Sequence, residues 1–167
     1  EGMKLVHDNL PQACADGTDI VARSNMLAAS IMGATAFQKG LGGVHALSHP
    51  IGAVFDTHHG LANAIMLPYV LVRNQAAIEQ RLTDAARYIG LQDASFTGFL
   101  DWILRLRADL NIPHSLAEIG IDESRAEEIG AAAKQDPSDG GNPVNLMPAD
   151  YTATVPYKHL TLPTICR

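Results

Sequence analysis

Residues 42–68 read GGVHALSHPIGAVFDTHHGLANAIMLP, and they hold His45, His49, His58 and His59, four of the chain's seven histidines. His45 and His49 are four residues apart, so on a helix they share one face, about 6 Å apart along the axis. His59 follows His45 by fourteen residues, and one unbroken helix would carry it about 21 Å away. Gly52 and the pair Asp56-Thr57, good N-caps, predict a break with a new helix from His58. A chain that folds back there puts His59 in the first turn of the second helix, facing the His45 side. A metal–nitrogen bond is only about 2.1 Å long, so His45 and His59 can share an ion only through this reversal. His58 points about 100° away from His59 around the helix, which leaves it a capping or solvent role.

The rest of the chain is helical in pattern as well. Met3, Leu5, Val6 and Leu10 are spaced like an amphipathic helix already under way at Glu1. Asp16 to Asp19 form a turn and cap, after which Ile20, Met26, Leu27, Ile31, Ala34 and Phe37 recur at helical spacing. The second helix of the histidine stretch runs to about Arg73, with Pro68 predicted to kink or restart it. Ala76 to Ile89, ended by Gly90, makes another helix. Ser95 or Thr97 caps the next, which Asn111-Ile112-Pro113 stops, and Asp122 caps a helix reaching about Lys134. Residues 136–143, DPSDGGNP, read as a loop. No stretch alternates with the period of a strand, so the predicted fold is an all-α bundle.

Composition narrows the function classes. Apolar residues make up 47% of the chain but aromatics only 5%, a balance that favours helices packed through small side chains over a β-sandwich. The net charge of −6 without a basic patch argues against a nucleic-acid partner. No continuous apolar run approaches the roughly 20 residues of a membrane span, and the N-terminus does not resemble a signal peptide. Cys14 and Cys166 lie near opposite ends with no metal or disulfide spacing, so a cytoplasmic setting is the default. No G-x-G-x-x-G stands between a strand and a helix; the GLGG at 40–43 joins two helices and is no dinucleotide loop.

The string GLGGVHALSHPIGAVFDTHHGLANAIMLPYVL at 40–71 resembles the signature of the iron-containing (group III) alcohol dehydrogenases. Theirs reads G-x-x-H-x-x-x-H-x-x-G, then a short link and P-H-G. Here His58 stands where proline is usual. ARSNMLAASIMGATAF at 22–37, NIPHSLAEIGI at 111–121 and DPSDGGNP at 136–143 keep the family's order, so the likeness covers roughly residues 1–150.

The resemblance implies a helical metal-binding, C-terminal-type domain over 1–154, truncated on its N-terminal side, with the nucleotide-binding domain absent. Similar helical domains occur in dehydroquinate synthase-like proteins. Residues 155–167 match no part of the family and read as foreign sequence or a disordered tail. Carried over by position, His45 and His59 are metal ligands. His49 is the catalytic histidine beside the nicotinamide, in the proton path, and Phe37 is a wall of the pocket together with Gly40, Gly42 and Gly43. The family's remaining ligands, an aspartate and a histidine four residues after it, lie upstream of the motif and have no counterpart here. The implied activity is interconversion of an alcohol with an aldehyde or ketone, using NAD or NADP and Fe²⁺, with Zn²⁺ or another divalent ion as a substitute. Implied partners are a small alcohol or aldehyde, the missing N-terminal domain and, in the intact enzyme, further copies of itself. This chain alone should be inactive. A zinc-dependent enzyme like glycerol dehydrogenase and a non-enzymatic helical metal-binding module stay open as alternatives. His7, His114 and His159 read as structural.

Overall fold

A computed structural model describes residues 1–156 and contains no strand among them. The helices are α1 (Gly2–Ala15), α2 (Ile20–Ala36), α3 (Gly43–Phe55), α4 (His59–Ile89), α5 (Phe96–Asp109), α6 (Ala126–Gln135) and α7 (Pro148–Thr154). Short 3₁₀ turns occupy Phe37–Lys39, Ala117–Ile119, Glu123–Arg125 and Pro137–Gly141. The chain divides into two compact units, Glu1–Gly40 with Gln80–Leu110, and Leu41–Glu79 with Asn111–Arg167.

In the first unit α1 and α2 pack against each other across the turn at 16–19. Asp16 accepts the Thr18 N–H and Asp19 caps α2 by accepting the Ala22 N–H. Asp19 thereby satisfies a donor that a helix start leaves orphaned, while Asp16 closes a local Asx turn. Asn25 donates to Asn9 between the two helices at 2.8 Å. The end of α4 closes with Gly90 at φ +87°, where the Leu91 N–H reaches back to the Ala86 carbonyl; the left-handed position suits glycine. Ser95 caps α5 by accepting the Gly98 N–H, and Trp102 of α5 meets Phe99 and His7 edge-on. His7 is thus the packing residue expected of it.

One face of α2 carries Ile20, Val21, Leu27 and Ile31, all exposed. Residues 20–39 are long and apolar enough to cross a membrane by length and composition, which corrects the reading that no segment reaches that size. The hydropathy is spread over alanines, methionines and isoleucines between polar residues, so it forms no continuous run. It matches equally well an apolar helix face built to be covered by protein.

The second unit holds the larger core. Leu47 and Ile51 of α3, Ile65 and Met66 of α4, Ile129 of α6 and Tyr151 of α7 are fully buried in it. The α6–α7 crossing is closest at Gly130, where an added Cβ would lie 2.1 Å from Thr152 Oγ1 and 2.6 Å from the Pro148 carbonyl. Only glycine lets those backbones meet.

Three local expectations change. Asp56 is not the N-cap of α4; it sits at φ +52° as the left-handed C-cap of α3. The cap of α4 comes from His58, whose Nδ1 accepts the Leu61 N–H at 3.3 Å. Pro68 neither kinks nor restarts the helix: α4 runs unbroken from His59 to Ile89, merging two predicted helices into one about 46 Å long. Pro68 is fully buried, and burial of Met66, Tyr69 and Val70 on the adjoining turns offsets the one lost hydrogen bond. Residues 148–154 are helical although no helix was predicted there. Val155 and Pro156, the start of the atypical tail, are buried, and the Pro156 carbonyl accepts the Leu116 N–H. The rest of that tail, including His159 and Cys166, lies outside the described residues.

Candidate metal centre

The reversal between α3 and α4 brings three imidazoles together within the second unit. Ring centroids are 5.3 Å apart for His45 and His59, 5.8 Å for His45 and His49, and 5.4 Å for His49 and His59. His45 and His49 share the α3 face through their four-residue spacing, and His59 opens α4. His58, adjacent in sequence, caps the helix and does not join them.

Asn63, one turn beyond His59, fits the family signature by sequence, which assigns it no role at the site. Its Nδ2 lies 3.0 Å from His59 Nε2 and 3.4 Å from His45 Nε2. With the Asn63 amide nitrogen as the donor, both ring nitrogens are acceptors. That is the form in which imidazole binds a metal. Asn63 Oδ1 is buried with no partner, an unusual expense for a carbonyl unless something else comes to the site. Burial pushes the His45 pKa below its ordinary value, and the imidazoles of His59 and His49 push the same way against a smaller opposing pull from Asp136. Neutral His45 is again the ligand form. A divalent ion therefore fits the donors present, with His45 and His59 supplying two nitrogens. Among the described residues, no group of three His, Cys, Asp or Glu is arranged to hold a metal.

His49 has a different neighbour. Its Nδ1 lies 2.9 Å from Asp136 Oδ2, a residue 87 positions away in sequence at the end of α6. The other carboxylate oxygen, Oδ1, accepts the Ser138 N–H at 2.8 Å. Asp136 titrates below the ordinary carboxylate value. Burial raises it, but the Ser138 N–H and the His49 ring together lower it further. By sequence the DPSDGGNP stretch is a loop that keeps the family's order, with no residue in it assigned to the site. Its Asp-Pro step, a cap followed by a turn, is the one signal that could have marked Asp136 as an ordered residue.

That loop is tied down next to the histidines. Asn142 Oδ1 accepts the Gly43 N–H at 3.0 Å and the Asn74 amide at 2.8 Å, while its Nδ2 donates to Asn74 Oδ1 at 2.9 Å. An open, mostly apolar groove of about 460 Å³ runs beside this network from His45 and Asn63 past Leu67 and Leu71 to Ile78. Gly42 and Gly43 line it. Phe37 belongs to the first unit, on the turn after α2, and is 55% exposed. His114 is held in the core margin, where its carbonyl accepts the Tyr69 hydroxyl at 2.7 Å.

Known proteins share this fold. The chain is 34% identical over 151 residues to 1,3-propanediol dehydrogenase of Citrobacter freundii, covering 86% of this chain and 39% of that protein. It is 33% identical over 150 residues to NAD-dependent methanol dehydrogenase of Bacillus methanolicus, again covering 86% and 39%. The crystal structure of a 1,3-propanediol oxidoreductase superposes with a TM-score of 0.88 at 32% identity, over 92% of this chain and 42% of that one. The chain thus spans about two-fifths of the length of these relatives. A family profile, "Fe-containing alcohol dehydrogenase family, C-terminal", matches residues 1–156. With its all-helical fold and its paired histidines, the chain belongs to the Fe-containing alcohol dehydrogenase family, as a stretch of the C-terminal domain.

Proposed function

We propose that this chain is the metal-binding part of an NAD(P)-dependent alcohol dehydrogenase that interconverts a small alcohol with its aldehyde or ketone. The observation that carries the reading is the approach of two Nε2 atoms, from α3 and α4, to the single side chain of Asn63. His45 and His59 hold a divalent ion, Fe²⁺ or Zn²⁺, through those nitrogens. When bound, such an ion supplies Lewis-acid polarisation of the substrate oxygen. His49, in ring contact with both ligands, would take the hydroxyl proton on oxidation and return it on reduction, a task suited to imidazole; a bound nicotinamide would supply the hydride chemistry. The name of the Bacillus methanolicus relative supports NAD as the hydride acceptor.

The reading also assigns this chain a missing neighbour. Its relatives are more than twice as long, and the nicotinamide needs a phosphate-cradling loop that residues 1–167 do not contain. The exposed apolar face of α2 suits protein cover in that longer assembly. Residues 1–154 make up the metal-binding domain, the intact enzyme associates with further copies of itself, and its setting is cytoplasmic.

The test is metal uptake and turnover together. In the intact enzyme, His59→Ala and His45→Ala should lose the ion and turnover, while His49→Ala should keep the ion and lose turnover. The 167-residue chain alone should bind Fe²⁺ or Zn²⁺ weakly and oxidise no alcohol. Submicromolar binding with turnover by the chain alone would refute the two-ligand reading.

A further inference from the structure

The contact between His49 and Asp136 joins the α3 histidine face to a distant loop, and the metal reading makes no use of it. An ionised carboxylate can only accept, so the nitrogen it faces must donate. Asp136 Oδ2 lies 2.9 Å from His49 Nδ1 and therefore selects the tautomer with the proton on Nδ1. Nε2, on the far side of the ring, is left as the bare, basic nitrogen.

The carboxylate is well built for that task. Its side chain is only 13% exposed, against 41% for His49, so water competes poorly for it. Its second oxygen is fixed by the Ser138 N–H, which sets the plane of the group. The loop that carries it is fastened through Asn142 to the Gly43 N–H at the start of α3, the helix that bears His49. Ring and carboxylate are thus held by one rigid connection. Capping the turn at 137–141 needs only Oδ1; it does not explain why Oδ2 meets an imidazole.

We infer that Asp136 is a positioning residue, which fixes His49 as the Nδ1–H tautomer so that Nε2 exchanges the proton in alcohol oxidation. The inference rests on the dehydrogenase reading for its consequence, while the tautomer itself can be read without any reaction. The logic is that of a carboxylate orienting a general-base histidine from behind. Without the carboxylate, imidazole reverts to its intrinsic preference for the Nε2–H form, which presents a proton where a lone pair is needed.

The Asp136→Asn variant separates positioning from capping. Asparagine is as good an N-cap as aspartate, and its Oδ1 can still accept from Ser138. Its amide, however, turns a donor toward His49 in place of an acceptor. Long-range ¹H–¹⁵N correlation spectra of the metal-free chain, labelled at histidine and recorded above the imidazole titration range, read each ring's tautomer directly. In the wild type, His49 should show the proton-bearing shift at Nδ1 and the bare-nitrogen shift at Nε2. In Asp136→Asn the two shifts should exchange, with those of His45 and His59 unmoved. A wild-type His49 protonated at Nε2 would overturn the assignment, even if the variant fails to fold. So would a folded variant that keeps the wild-type pattern.

A second arm reads the consequence in the intact enzyme. There kcat should fall at least about tenfold, the lower bound for losing an outer partner of a metal-site residue, with KM and metal content unchanged. A swapped tautomer with kcat intact would refute the positioning role. Failure of the dehydrogenase reading is distinguishable from both, since the unaltered intact protein would then show no turnover at all.

Discussion

Truncating Asn142 to alanine tests whether the loop bearing Asp136 is held by one polar hub. The side chain makes four hydrogen bonds: it accepts from the Gly43 N–H and the Asn74 amide, and donates to Asn74 Oδ1 and the Val144 carbonyl. The four are not equivalent. Asn74 is only 4% exposed, so water cannot replace the reciprocal pair and both ends of its amide stay buried and unpaired. Each such loss costs about 1–3 kcal/mol, while a bond that water can replace costs well under 1 kcal/mol. The two unpaired ends together cost about 2–6 kcal/mol. With a urea m-value of about 2 kcal/mol/M, the unfolding midpoint should fall by about 1–3 M at unchanged m. Asn74→Ala should cost a similar amount, but the double variant should cost less than the sum by at least about 1.5 kcal/mol, since neither amide is then left unpaired. A loss below about 1 kcal/mol for Asn142→Ala, or strict additivity of the two, would show that solvent already serves these amides and that no such hub exists.

Four shorter predictions follow from the same geometry. His59→Ala in the intact enzyme should weaken metal uptake more than about 100-fold by calorimetry, since loss of an outer partner alone costs ten- to a hundredfold. Gly130→Ala forces a Cβ to 2.1 Å from Thr152 Oγ1 and should cost about 3 kcal/mol by urea unfolding; Gly140→Ala, whose Cβ meets nothing within 4 Å, serves as the near-neutral control. Ser95→Ala removes the cap on the Gly98 N–H and should lower stability by about 1 kcal/mol. Tyr151 donates to Asp139 Oδ1 at 2.7 Å. Burial raises the Asp139 pKa, but Tyr151 and Lys134 lower it further, to a net value below the ordinary one. A depressed carboxylate stabilises the fold above its unfolded pKa and loses that contribution as pH falls through its folded value. Tyr151→Phe should therefore cost more in urea unfolding at pH 7 than at about pH 3; an equal cost at both would remove Asp139 from the account.

Local chemistry was legible without coordinates wherever the answer lies within one helical turn. Asp19, Ser95 and Asp122 each accept a backbone N–H at the start of an element, and a short polar side chain before an apolar repeat announces that directly. The pairing of His45 with His59 was equally legible, because a four-residue spacing, a break and a new helix start restrict where two rings can go. Asp56 marks the limit of such reading. Aspartate is favoured both as an N-cap and at a left-handed C-cap, so its identity located the break but not which helix it serves; the packing of α3 and His58's own cap decided that. Pro68 was misjudged for a related reason. Propensity counts the missing hydrogen bond, and only the core shows how much apolar burial on either side holds α4 together. The partners of Asp136 and Asn142 are beyond pattern, since His49 and Gly43 lie 87 and 99 residues away. Periodicity and capping specify contacts within a few residues along the chain, and pairings over such separations exist only once the helices have packed.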